Sequence, residues 1–321
     1  MRNILIIGGG GMVGQKLAWA LSNNPLKRGD RVTLLDLSLP QNGAPVAEEV
    51  RATITNPAVL TRLAAKRPEV IFNLAAIVSG EAETDFDLGW QVNMEAFRAL
   101  LEVFRKEVET SGGDYKPKII FTSSIAVFGA PFPEKIGDDF LHAPQTSYGA
   151  QKAICELLLS DYIRKGFFGG VSIRLPTICV RPGKPNKAAS SFFSGIIREP
   201  LNGQEAILPV SDQTRHWHAS PRSAAGFLRH AATLDQDVYG GRPALSMPGV
   251  SCTVAEQIEA LRDVAGEDAV RLIRHQPDPS IEAIVKNWPQ DFAPERASAL
   301  GFAAEKSFSE IVKVYLEEDM P

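Results

Sequence analysis

The chain has 321 residues, 44% apolar and 22% charged, with 26 Gly and 22 Pro. That is enough to bury a large core, and the composition is not that of a disordered, collagen-like or low-complexity chain. Its 34 basic and 38 acidic side chains leave a formal charge of -4, so no basic surface points to nucleic acid as a partner. Apolar runs such as Ile4 to Ile7 fall far short of the roughly 20 residues that span a bilayer, and no charged-then-apolar leader is visible. Cys155, Cys179 and Cys252 are odd in number and far apart, which argues against a disulfide framework and for a reducing compartment. The expectation is a soluble cytoplasmic α/β protein without a membrane or nucleic-acid partner.

In chain order, Asn3 to Ile7 suits a strand buried on both faces, and four glycines and a helical pattern from Met12 to Leu21 follow it. Val32 to Leu35 predicts a second strand, ending at Asp36. Further strands are expected at Val70 to Leu74, Lys118 to Thr122 and Val171 to Leu175, separated by helical patterns over Ala58 to Ala65, Trp90 to Glu107 and Ser147 to Arg164. Strands alternating with helices imply βαβ units in a parallel sheet. After about residue 176 a basic loop, Arg181 to Lys187, precedes helix-like segments at Ser190 to Leu201, Val254 to Ala265 and Lys306 to Glu318. The predicted architecture is a Rossmann-type doubly wound sheet over residues 1–176, completed by about 221–248, with a smaller C-terminal substrate lobe over 177–321.

The first strand runs into Gly8-x-x-Gly11-Met12-Val13-Gly14. In this spacing Gly8 allows the tight turn, Gly11 lets a pyrophosphate approach the backbone, and Gly14 lets the next helix pack on the strand. The helix N-terminus then faces the phosphates with its free amides and positive dipole end. Asp36 ends the next strand, 22 residues after Gly14. There a carboxylate accepts from the adenosine ribose hydroxyls and repels a 2′-phosphate, so NAD is favoured over NADP.

Tyr148 and Lys152 lie four apart in a helical pattern and share a face. A phenol ordinarily loses its proton near pH 10, and a neighbouring ammonium and a positive nicotinamide ring would lower that value. Ser124, 24 residues before Tyr148, suits a hydroxyl that orients the substrate oxygen.

Together with Asn73-Leu74-Ala75-Ala76, Asn93, and Thr122-Ser123-Ser124-Ile125-Ala126-Val127-Phe128-Gly129, these motifs resemble the extended short-chain dehydrogenase/reductases, the group that includes nucleotide-sugar epimerases and dehydratases. The resemblance covers nearly the whole chain. It implies a catalytic set of Ser124, Tyr148 and Lys152, with Lys152 also on the nicotinamide ribose. It further implies a cofactor lining of Leu74, Ala75, Ala76 and Asn93, with Pro176, Thr177 and Ile178 beside the nicotinamide. Where that family places an Asp near the adenine, this chain reads Ala52-Thr53-Ile54-Thr55, so Thr53 and Ile54 are expected there with altered contacts. The resemblance also implies a homodimer, with the Trp90 to Glu107 and Ser147 to Arg164 helices as candidate interfaces.

For the substrate, Thr177 and Cys179 stand where nucleotide-sugar members carry Asn and Tyr, and Pro221-Arg222 replaces an acidic pair. These changes favour a small anionic substrate. The stretches Arg174 to Gly183 and Lys187 to Leu201 look like a branch that oxidises C2 of a four-carbon sugar acid, D-erythronate, to the 2-oxo acid. Arg181 and Arg215 are the candidates for its carboxylate, with Ser123 a further hydroxyl contact. A nucleoside-diphosphate-sugar epimerase or dehydratase is the second reading, and a non-catalytic NAD-sensing scaffold the third. His216 and His218 alternate, but no third ligand sits at a useful spacing, so no metal site is expected.

Overall fold

The computed structural model describes residues 2–183 and 189–320. The part of the expected basic loop from Lys184 to Lys187 lies outside the described residues, as do the first two residues of the Lys187 to Leu201 stretch.

Seven parallel strands form the central sheet in the spatial order β11 (Ala244–Ser246), β7 (Gly169–Leu175), β5 (Lys118–Ser124), β4 (Val70–Asn73), β1 (Asn3–Ile7), β2 (Arg31–Asp36) and β3 (Glu48–Arg51). The expected doubly wound α/β sheet is therefore present. Side chains alternate across it. Ile4 and Ile6 enter one core with α1 (Met12–Asn23) and α8 (Pro221–Thr233), whereas Leu5 and Ile7 enter the other with α2 (Pro57–Ala64), α5 (Ala96–Thr110) and α6 (Ser147–Arg164). A strand covered on both sides can be apolar throughout, which is why the first run carries no polar alternation. Burial of each such side chain contributes about 1.5–3 kcal/mol. The order reverses at β1 and β4, and the crevice beyond their C-terminal ends is where ligands settle in open sheets of this kind.

Three departures from the sequence reading have local causes. The helix expected from Trp90 begins as a π-helix, Trp90–Glu95, before α5, and hydrophobic spacing cannot register that widened turn. The edge strand β3 buries only Val50 among charged neighbours, so it shows no apolar run. The short helices α3 (Ser79–Thr84) and α4 (Phe86–Gly89) are too brief to leave a periodic signal.

A third core is built by α7 (Ser191–Leu201), α9 (Val254–Ala265) and α13 (Phe308–Glu318), through Phe193, Ile196, Ile197, Leu261, Ile311 and Tyr315. Thr253 and Glu256 close a capping box at the start of α9. This region carries the three-stranded sheet β12 (Val250–Thr253), β10 (Arg215–Ala219) and β8 (Thr177–Ile178). It also carries the pair β13 (Ile273–His275) with β9 (Ala206–Leu208), and the pair β14 (Phe292–Ala293) with β6 (Ile136–Gly137). Arg222, read from the sequence as added positive charge for the substrate, instead pairs with Glu317 and Glu318 of α13. No described helix is long and apolar enough to cross a membrane.

Candidate active site

A cavity of about 420 Å³ opens over the C-terminal ends of β1, β4 and β5 and is roofed by Ile284, Trp288 and Pro289. Its walls include Met12, Val13, Leu74, Ala76, Ser123, Ser124, Tyr148, Lys152, Pro176, Thr177, Ile178 and Arg181. The sequence-predicted hydroxyl, phenol and ammonium thus meet on one wall.

Each is positioned by its element. Ser124 ends β5 and its hydroxyl accepts from the Ala126 amide at 3.1 Å. It also hydrogen-bonds the Tyr148 phenol. Thr146 caps α6 by accepting from the Gly149 amide at 3.1 Å, which sets Tyr148 in the first turn and Lys152 one turn further along. The Lys152 ammonium donates to the Thr122 carbonyl at 2.7 Å and lies 5.5 Å from the centre of the Tyr148 ring. Burial pulls Lys152 down to about 8, with Cys155 and Glu156 opposing.

Burial pushes the Tyr148 phenol up to about 12, against the Arg181 guanidinium and the Ser124 hydrogen bond, which lower it. The sequence reading gave the lowering field to Lys152. The folded chain adds a second cation, Arg181, that also lowers the phenol.

The glycine turn fits a dinucleotide. Gly8 has φ +81°, and a side chain there would meet the Ala75 nitrogen at 2.6 Å, while one on Gly14 would meet the Gly8 carbonyl oxygen at 2.3 Å. At Gly11 the nearest atom is 3.5 Å away, so that position is open toward a ligand. No side chain caps α1, which leaves its first amides available to phosphate. The Asp36 carboxylate accepts from the Gly10 and Ser38 amides at 2.9 and 3.0 Å. Gly10, which sequence reasoning passed over, is needed because a side chain there would sit 1.8 Å from the Ser38 carbonyl oxygen.

Several predicted residues sit differently. Arg215 does not line the cavity; its guanidinium donates to the Ser251 carbonyl at 3.2 Å and pairs with Glu256 at 3.3 Å. Asn93 is 3% exposed; it accepts from the Ile77 amide at 2.7 Å and donates to the Ile77 carbonyl at 3.1 Å and to Gln151 at 2.7 Å. It therefore pins the loop that carries Ala75 and Ala76 and does not face the cavity. The Ile54 side chain belongs to the core, and the Thr53 hydroxyl is engaged with Thr55. The ring nitrogens of His216 meet Thr177 and Pro289, and His218 meets Gln257.

Sequence reasoning also missed the support behind α6. Glu156, one turn past Lys152, takes a bidentate pair from Arg174 at 2.8–3.1 Å, and His142 joins both. Arg174 and Glu156 are 18 residues apart, on a strand and a helix, so no local spacing links them.

Comparison with known proteins gives the family. The model of the NAD dependent epimerase/dehydratase family matches residues 4–238. The chain is 46% identical to D-erythronate dehydrogenase of Cupriavidus necator, over 98% of each chain. It is 41% identical to D-erythronate dehydrogenase of Haemophilus influenzae, over 99% of each. A solved structure described as the nucleoside-diphosphate-sugar epimerase from Agrobacterium tumefaciens is 54% identical and superposes with a TM-score of 0.94, over 99% of this chain and 94% of that one.

Proposed function

Because this chain belongs to the NAD dependent epimerase/dehydratase family and is an NAD-dependent oxidoreductase, we propose that it oxidises the C2 hydroxyl of a small sugar acid, D-erythronate first, to the 2-oxo acid. One observation carries the choice of an anion. Arg181 lines the cavity beside Tyr148 and has no carboxylate partner among the described residues. A guanidinium offers a carboxylate two parallel hydrogen bonds, and the carbon next to that carboxylate is C2. The names of the two curated relatives support the same substrate.

In this reading Tyr148 takes the C2 hydroxyl proton and Ser124 holds the oxygen as it becomes a carbonyl. Lys152 keeps positive charge beneath the phenol and holds the nicotinamide ribose, while Arg181 fixes the carboxylate and lowers the phenol. The coenzyme supplies the acceptor for the C2 hydride and, in its oxidised form, a further positive charge. The glycine turn and Asp36 would hold its pyrophosphate and adenosine ribose, and Leu74, Ala76, Pro176, Ile178 and the backbone of Thr177 would lie along the nicotinamide half.

The test is to add NAD and D-erythronate to purified protein and follow the absorbance of reduced nicotinamide. A steady rise is expected, and Tyr148→Phe should remove most of it while NAD binding persists. Full activity in that variant refutes the assigned base.

A second reading, epimerisation of a nucleoside-diphosphate sugar, draws on the name of the Agrobacterium tumefaciens structure. It predicts silence in the absorbance assay and conversion of a UDP-sugar with NAD co-purifying. Thr177 and Cys179, in place of Asn and Tyr, weigh against it. A homodimer through the exposed Ile154 and Leu157 of α6 belongs to the same proposal, and gel filtration as a monomer would remove it.

A further inference from the structure

His216 is 2% exposed and lines the cavity between Thr177 and the roof segment. Its Nδ1 lies 2.9 Å from the Pro289 carbonyl oxygen, and its Nε2 lies 2.7 Å from the Thr177 hydroxyl. A carbonyl only accepts, so Nδ1 carries the ring proton, and in the neutral ring Nε2 is then an acceptor. Two acceptors cannot bond each other, so the Thr177 hydroxyl gives its proton to Nε2. The ring is neutral across the working range, because burial pulls it down to about 4. Phe193 stacks on it at 5.2 Å and Trp288 tilts against it at 5.2 Å, so the imidazole cannot turn over without unpacking both.

The proton of Thr177 being committed, its remaining lone pairs are what this residue offers the cavity. We propose that Thr177 selects the substrate: held by His216 as a pure acceptor, its oxygen takes the proton of a hydroxyl other than the one being oxidised. The inference rests on the sugar-acid reading above and deepens it. A carboxylate or keto oxygen placed there would face lone pairs with no proton between them, whereas a polyhydroxy acid brings the donor required. The cavity then holds two polar contacts of opposite sense, Arg181 as donor for the carboxylate and Thr177 as acceptor for a distal hydroxyl. A substrate lacking that hydroxyl leaves an acceptor unpaired against the bound ligand, and sites built on hydrogen bonds discriminate strongly for that reason.

Two measurements test this. The first is the ratio of kcat/KM for D-erythronate over 2-hydroxybutyrate, which keeps the C2 hydroxyl and carboxylate and lacks the other hydroxyls. The ratio should fall about 10- to 100-fold in Thr177→Val and recover most of its value in Thr177→Ser. An unchanged ratio overturns the proposal, as does an equal loss on both acids together with a raised KM for NAD, which would place Thr177 on the coenzyme. The second needs no substrate: long-range proton–nitrogen correlation of the histidine rings should give the Nδ1–H tautomer for His216, with Nε2 shifted in Thr177→Val. The Nε2–H tautomer overturns the proposal. A wild-type protein inert toward both acids sinks the sugar-acid reaction and the substrate contact with it, whereas an active wild type with an unchanged ratio in Thr177→Val sinks the Thr177 assignment alone.

Discussion

Arg181 and Tyr148 act on each other across the cavity: the guanidinium lowers the phenol and the phenol raises the guanidinium, while burial drives both the opposite way. The free chain therefore holds the phenol protonated, up to about 12, and the base form is scarce at neutral pH. Below the pKa that governs the loaded complex, each unit of pH raises the base fraction tenfold, so log kcat/KM for oxidation should climb with pH through the neutral range. Arg181→Leu should cost about 10- to 100-fold at pH 7, from one charge-assisted contact, and move the climb to higher pH. Arg181→Lys should keep part of both. A pH profile flat from weakly acidic to weakly alkaline conditions in the wild type would contradict the assignment of Tyr148 as base.

Lys152 serves chemistry at a cost in stability. Its pKa falls to about 8 from an ordinary value of 10.5, with burial as the first cause. The folded state thus binds fewer protons than the unfolded one between those values, and stability contributed by this residue rises with pH across that window. Below pH 8 the penalty is fully present, on the order of 3 kcal/mol. Lys152→Met should therefore be nearly inactive and yet no less stable than wild type at pH 7. Urea denaturation checks this, and a strongly destabilised variant would mean that the bonds to Thr122 and the aromatic rings outweigh desolvation.

Glu156 is the opposite case. His142 and Arg174 hold its carboxyl below the usual range despite burial, which acts to raise it. The stability it contributes is present above about pH 4.5 and is lost as pH falls through the depressed value. Glu156→Gln leaves the Arg174 guanidinium buried with one carboxylate fewer, and should cost about 3–5 kcal/mol. Replacing both residues by apolar ones of similar size should recover much of that loss. Chemical denaturation of the single and double variants separates the two outcomes.

How much of this was legible beforehand depends on whether the signal is local. Five of the seven strands of the central sheet, the glycine turn, and the Tyr148–Lys152 pair on one helix face are written in short spacings, and β1, β2, α6 and α9 lie where those spacings place them. Ser124 reaches the same wall because β5 ends there. What sequence could not give is partnership across the fold. Arg215 and Arg181 are equally plausible cations as letters, yet Glu256 lies opposite the first and no described acid opposite the second. Likewise the sequence gives His216 no partner, and only the fold brings Thr177 and Pro289 to its two nitrogens.

The three motif glycines separate folding from coenzyme binding. A methyl on Gly14 would lie 2.3 Å from the Gly8 carbonyl oxygen and 2.8 Å from the Gly9 α-carbon, and backbone cannot swing away as a side-chain end does. Gly14→Ala must therefore separate α1 from β1, and the overpacking should cost about 1–3 kcal/mol along with NAD binding. At Gly11 the backbone is extended, with φ -70° and ψ 164°, and the nearest atom to an added methyl is 3.5 Å away. Gly11→Ala should then fold with wild-type stability and lose NAD affinity by an order of magnitude or more, because the methyl fills the space a pyrophosphate would use. Thermal denaturation without coenzyme, paired with calorimetric titration of NAD, reads the two effects apart. If Gly11→Ala bound NAD as well as wild type, the pyrophosphate would have to lie elsewhere than against this turn.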